Sequence, residues 1–144
     1  MEIQNNPPAE VRFAGLMKRV RRLGMDSLSP EEGAASPAQM TLIDWIALNP
    51  GCGVQDIADG LRLAPPTVSI GVKKMEHLGI VERKPNPADA RSVQFFLTLR
   101  GQEIYDRHQS YQKRKFRQLL SGLSQQEQET LIALLERALQ SAEM

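Results

Sequence analysis

One stretch narrows the fold of this chain more than any other. Residues 54–98 read VQDIADGLRLAPPTVSIGVKKMEHLGIVERKPNPADARSVQFFLT. Within it the apolar period changes from about 3.6 to about 2, from helix to strand. Ile57, Ala58 and Leu61 share one side of a short helix over 54–61. A tight turn, RLAP, leads into a second helix over 65–78, with Pro65 and Pro66 in its first turn, where a missing N–H costs little. Val68, Val72, Met75 and Leu78 form its inward stripe, met by Ala58 and Leu63, and Gly79 ends it in a left-handed conformation. IVERK (80–84) and SVQFFLT (92–98) then read as antiparallel strands, with Val93, Phe95 and Leu97 on one face and Gln94 and Phe96 on the other. Pro85 and Pro87 remove two ladder donors, so the joining segment PNPADAR is expected to project without pairing. Helix, tight turn, helix and hairpin describe a winged helix-turn-helix. The expected class is mainly α with a small β-hairpin wing, an α+β fold.

The rest of the chain is helical. Val11, Phe13, Leu16, Met17, Val20 and Leu23 recur at helical spacing over residues 9–23, and Gly24 with SLSPEEGAASP breaks that pattern. Ser36, Pro37 and Gln39 make a capping box for a helix whose inward stripe is Met40, Ile43, Ile46 and Ala47, flanked by Trp45. NPGCG stops it. Thr98 can cap a long helix over 99–120, along which Tyr105, His108, Gln112, Phe116 and Leu119 form one mixed seam. Ser124 and Glu127 make a second capping box. The last helix gathers Leu131, Leu134, Leu135, Ala138 and Leu139 on one broad apolar face.

The 144 residues suit one domain able to bury a core. No apolar run reaches the roughly 18 residues a membrane span needs, so no membrane partner is expected. MEIQNNPPAEVRF lacks the basic-then-apolar layout of a signal peptide, and a cytoplasmic protein is expected. A single cysteine, Cys52, excludes an internal disulfide and an all-cysteine metal cage. The net charge of +1 hides local excesses of base. Residues 9–23 carry Arg12, Lys18, Arg19, Arg21 and Arg22 against Glu10; residues 107–117 carry Arg107, Lys113, Arg114, Lys115 and Arg117 with no acid. Residues 62–92 carry Arg62, Lys73, Lys74, Arg83, Lys84 and Arg91 against Glu76, Glu82 and Asp89. If these bases share one surface they suit a polyanion whatever the total charge; the plain alternative is solvated helix faces.

The outer face of the 65–78 helix shows Pro66, Thr67, Ser69, Ile70, Lys73, Lys74 and His77. A major groove about 12 Å wide accepts such a helix. Thr67 and Ser69 can bond phosphates or base edges, Ile70 offers an apolar contact to a thymine methyl, and Lys73 and Lys74 reach phosphates or guanine edges. The neighbouring hairpin reaches the adjacent minor groove, whose negative potential favours an inserted guanidinium. Arg91 can supply one, Lys84 adds charge on the same wing, and Asp89 is expected to hold the Arg91 guanidinium by a bidentate bond. The plain alternative for Asp89 and Arg91 is a surface ion pair worth less than about 1 kcal/mol.

The segments SPAQMTLIDWI, IADGLRLAPPTVSIGVKKMEHLGIVERKPNPADARSVQFFLTLRG and LSGLSQQEQETLIALLERAL resemble the MarR (multiple antibiotic resistance regulator) family over about residues 28–140. The resemblance is most specific from Ile57 to Gly101, including the PADAR wing. It implies a winged-helix transcription regulator, in the sense of a repressor, that forms homodimers through intertwined terminal helices and binds double-stranded DNA. It also implies release by a small, often phenolic, effector. By position, 36–98 becomes the DNA-binding region and 1–35 with 99–144 the helical dimerisation region. Pro66, Thr67, Ser69, Ile70, Lys73, Lys74, Lys84, Asp89 and Arg91 become DNA-binding residues, and Val11, Leu16, Val20, Phe116, Leu131, Leu134, Leu135 and Leu139 the dimer interface. The chain departs from the family pattern at Arg62, where a turn glycine is common, at Ala64, which replaces a capping serine, at Ile70, often arginine, and at Gly71. These departures keep open a second reading, a winged helix that binds protein or has lost its operator.

Enzyme chemistry has little footing. His77 and His108 are the only histidines, and no HExxH, GxSxG or phosphate-cradling glycine loop occurs. No cofactor, metal or catalytic residue is expected. His108 reads as an interface residue, and Cys52, in a Gly-flanked loop, would be open to oxidation if exposed, with a redox role the lesser reading.

Overall fold

A computed structural model describes residues 6–24 and 35–144. In chain order α1 spans Ala9–Arg22, α2 Pro37–Leu48, α3 Val54–Leu61, α4 Pro65–His77, β1 Val81–Asn86, β2 Asp89–Leu97, α5 Leu99–Leu120 and α6 Gln125–Glu143. The two strands pair as an antiparallel hairpin, and the chain adopts the expected winged, mainly helical fold. Most of the expected break at SLSPEEGAASP lies outside the described residues. No described helix is long and apolar enough to cross a membrane. The chain divides into two compact units, Asp26–Tyr111 and Met1–Met25 with Gln112–Met144.

The first unit is built around one core. Ile43 and Ile46 of α2, Ile57 of α3, Val68, Val72 and Met75 of α4 and Phe95 of β2 are its largest fully buried side chains. Each such burial contributes about 1.5–3 kcal/mol. Leu42 is also buried, although its position lies outside the expected α2 stripe, and Ala47 is only half-buried. α2 is therefore covered on a wider arc than the stripe implied. Leu78 is exposed, because α4 ends at His77 and Leu78 is its C-terminal cap.

Side-chain caps set the helix starts as the sequence indicated. Ser36 Oγ accepts from the Gln39 N–H at 3.2 Å, and Gln39 Oε1 accepts from the Ser36 N–H at 2.9 Å. Thr98 Oγ1 accepts from the Gly101 N–H at 3.1 Å and donates to the Gly79 carbonyl. A Cβ added at Gly101 would lie 2.2 Å from the Ile80 carbonyl oxygen, so only glycine lets the start of α5 press against the chain there. Trp45 is held similarly: a Cβ at Gly60 would fall 2.0 Å from its ring, so the glycine lets the indole lie against α3.

The second unit has a different character. Ser124 and Glu127 form the second capping box, with bonds of 3.2 and 2.9 Å, and those bonds hold the Glu127 carboxyl below its ordinary range. Gln128 Nε2 donates to the Leu120 and Leu123 carbonyls across the connecting turn. Neither α1 nor α6 contains a buried residue.

Candidate nucleic-acid interface

The entry to α4 is under strain. Arg62 ends α3 in the left-handed region, at φ 55° and ψ 46°, which costs a non-glycine residue about 1 kcal/mol. The bond that fixes this turn runs from the Leu63 N–H to the Ala58 carbonyl at 3.0 Å. Ala64 sits at the N-cap of α4 and supplies no side-chain bond. Pro65 and Pro66 limit the damage, since neither has an N–H to satisfy.

Past that entry, α4 turns Val68, Val72 and Met75 into the core and leaves Pro66, Thr67, Ser69, Ile70, Lys73, Lys74 and His77 exposed. Gly71 has a second role beyond its low helix propensity. A Cβ there would meet Leu42 Cδ1 at 2.7 Å, so the glycine admits α2 close to α4. What looks in sequence like a loosening is in part a packing device.

The wing differs from the expected projecting loop. Pairing runs from Val81↔Leu97 to Pro85↔Val93 and resumes at Asn86↔Asp89 after an irregularity, so only Pro87 and Ala88 form the tip. A two-stranded hairpin explains the difference. Both strands are edges, and a proline that has no N–H to offer is tolerated on one. Side chains make the turn: Asn86 Oδ1 accepts from the Ala88 N–H at 2.9 Å, and Asn86 Nδ2 donates to Ser92 Oγ at 3.0 Å.

Asp89 behaves otherwise than expected. Its Oδ1 accepts from the Arg91 backbone N–H at 3.0 Å, and no ion pair joins it to the Arg91 guanidinium among the described residues. The carboxylate shapes the backbone of the tip, as aspartate does in an Asx turn, because a residue two positions on presents its N–H sooner than its long side chain. The Arg91 side chain is exposed. Lys84 lies 3.4 Å from Glu82 and 5.0 Å from the centre of the Phe96 ring, still largely open to solvent.

One tie between wing and helix has no periodic trace in the sequence. Arg83 Nη2 donates to Glu76 Oε1 at 2.8 Å, and its guanidinium lies 5.6 Å from the centre of the Phe95 ring. β1 is thereby joined to the last turn of α4. At the same level of the hairpin, where Phe95 lies opposite Arg83, the backbone of β2 is fixed by Cys52, whose carbonyl accepts from the Phe95 N–H at 2.9 Å. Cys52 is buried, and burial with the nearby Asp56 charge pushes its thiol pKa up. Both effects speak against the lesser reading of Cys52 as a redox-active thiol.

His108 is buried, and its Nδ1 has no bonding partner among the described residues. It acts on Asp44, whose carboxyl is raised by burial and lowered to a lesser degree by the histidine. No group of three or more potential metal ligands occurs among the described residues. The residues expected at a dimer interface lie on the other unit. Val11, Leu16, Phe116, Leu131, Leu134, Leu135 and Leu139 are exposed, Leu134 by 50%, and Val20 is half-buried.

A sequence model of the MarR family matches residues 36–92. The chain is 30% identical over 108 residues to the HTH-type transcriptional regulator YkoM of Bacillus subtilis (strain 168), covering 75% of this chain and 70% of the relative. It is 27% identical over 116 residues to the HTH-type transcriptional repressor Rv2887 of Mycobacterium tuberculosis (strain ATCC 25618 / H37Rv), covering 76% of this chain and 84% of that one. Among solved structures, Streptococcus pneumoniae FabT in complex with DNA superposes with a TM-score of 0.80 at 22% identity, over 93% of this chain and 94% of that one.

Proposed function

The chain belongs to the MarR family of transcriptional regulators, and on that premise we propose that it is a homodimeric repressor that reads a pseudo-palindromic operator. The observation that carries this reading is a pairing within one unit. The exposed face of α4 and the exposed Arg91 sit on elements tied together by the Arg83–Glu76 bridge and the shared Phe95 core. α4 enters the major groove, and the wing carries Arg91 to the minor groove beside it. Pro66, Thr67, Ser69, Ile70, Lys73, Lys74, Lys84 and Arg91 make the DNA surface, and Asp89 sets the turn that presents Arg91. Two copies place half-sites about 10 base pairs apart. The terminal helices, residues 1–35 and 99–144 in this reading, form the dimer.

The repressor sense is supported by the name of the mycobacterial relative. A cytoplasmic location follows from a genomic target, and release by a small phenolic effector from the family resemblance. Strained Arg62 and the uncapped start of α4 favour a modest affinity, and they give weight to the second reading, a regulator with weak or lost operator binding.

Fluorescence anisotropy on a labelled duplex across a salt series tests the reading. Affinity is expected to fall steeply with log salt. Lys73→Ala is expected to shallow the slope by about one unit, as loss of one phosphate contact does. Arg91→Ala is expected to weaken binding most where the flanks are A·T-rich. Salt-insensitive binding, or an Arg91→Ala variant equal to wild type on every flank, would overturn it. Phenolic compounds added to the bound complex are expected to release DNA; retention of the complex with every compound defeats the effector part alone.

A further inference from the structure

One residue on α4 is not explained by folding or by charge. The helix turns by about 100° per residue, so the directions of all its side chains follow from Val68, Val72 and Met75, which point into the core. Ile70 lies about 170° from the mean of those three, on the crest of the exposed face. Thr67 and Lys74 flank it on one side, Ser69 and Lys73 on the other. It is 62% exposed. A β-branched residue is a poorer helix former than alanine or leucine, so its exposure brings no folding gain in this chain.

The crest of a groove-bound helix is the part that comes nearest the base edges. Around it, the i−4 neighbour Pro66 aside, the chain offers donors and acceptors that suit phosphates and polar edges. At the crest it offers branched hydrocarbon with one strongly preferred χ1 rotamer, so its methyls are placed before any encounter. Against the N7 and O6 of guanine, the amino group of cytosine or the amino group of adenine, such a side chain would strip water and give nothing back. The major groove holds one apolar group that fits, the C5-methyl of thymine.

We propose that Ile70 is a specificity-determining residue that selects one thymine in each half-site through its methyl group. The proposal rests on the reading of the chain as an operator-binding regulator. It separates the roles on α4: the lysines carry the salt dependence, and Ile70 carries part of the sequence preference with no salt dependence of its own.

The experiment begins with duplexes enriched from a random pool by the intact protein. In the enriched site each thymine is replaced in turn by deoxyuridine, which removes the methyl and leaves pairing unchanged, and affinity is measured by anisotropy. One thymine per half-site is expected to respond, with about a fourfold loss for one half-site and about sixteenfold for both, the worth of one buried methyl each. Cytosine at that position is expected to regain part of the loss when methylated at C5. Ile70→Ala, at an exposed position that leaves the core intact, is expected to bind more weakly and to be indifferent to deoxyuridine there. A wild-type protein indifferent to deoxyuridine at every thymine overturns the proposal, as does an Ile70→Ala variant that keeps the full penalty; either leaves the operator reading standing. A pool from which no sequence is enriched overturns the operator reading, and this proposal with it.

Discussion

The unit that carries α2, α3, α4 and the hairpin and the helices α1 and α6 use apolar residues in opposite ways. In the first, Ile43, Ile46, Ile57, Val68, Val72, Met75 and Phe95 are sealed from water, and glycines at 60, 71 and 101 let the elements approach to contact. In α1 and α6 the apolar stripes bury no residue: Leu134 and Leu139 are at least half exposed. A chain that can bury seven large side chains completely in one region has no lack of hydrophobic drive. Its terminal helices are therefore better read as half of an interface, completed by a second copy, than as a poorly packed core. On the proposed dimer reading, the difference teaches that one region is specified by the chain alone and the other by association.

The comparison can be broken at its densest point first. Gly101→Ala puts a methyl against the Ile80 carbonyl oxygen, a backbone atom that cannot swing aside, and is expected to cost about 3 kcal/mol in urea unfolding. An unchanged midpoint would show that this unit is not close-packed. Leu134→Glu probes the other side. It should leave the helix formed and weaken self-association by about 2 kcal/mol, roughly 30-fold in dissociation constant; dissociation equal to wild type in sedimentation velocity would make α6 a bystander. Arg62→Gly removes the left-handed penalty and should stabilise the first unit by about 1 kcal/mol in the same urea assay, while a loss would mean that the arginine side chain holds the turn.

The smallest expected effect concerns pH. Burial raises the Asp44 carboxyl, so the stability tied to its neutral form is present below the ordinary carboxylate range and is lost as pH climbs through the raised value. Asp44→Asn should then gain on wild type as pH rises above the ordinary carboxylate range, read as Tm against pH. Parallel curves would place Asp44 in water.

Most of this architecture was legible in the chain. Ser36, Thr98 and Ser124 announce their helices because a cap bond is local, three residues long, and has few alternatives. The period change after Gly79 announces the hairpin. The wing pairs further toward its tip than its prolines suggest, because a two-stranded sheet has only edges, where proline is tolerated. The partner of Asp89 is hidden for a related reason: charge suggests the guanidinium, while chain geometry favours the nearer N–H. Arg83–Glu76, the burial of Cys52 and the contact of Gly71 with Leu42 depend on how elements meet, and no spacing in the sequence encodes that. Among the candidate DNA residues, the exposed face of α4 followed directly from helical spacing. Which of its side chains touch bases does not follow, since that depends on the groove as much as on the helix.

Sedimentation equilibrium of the intact protein at low micromolar concentration, with and without operator duplex, bears most directly on the whole account. The expected result is the mass of two chains in both cases, with one such pair on each duplex. A species of one chain's mass that keeps its terminal helices folded, or one chain alone on the DNA, would contradict it.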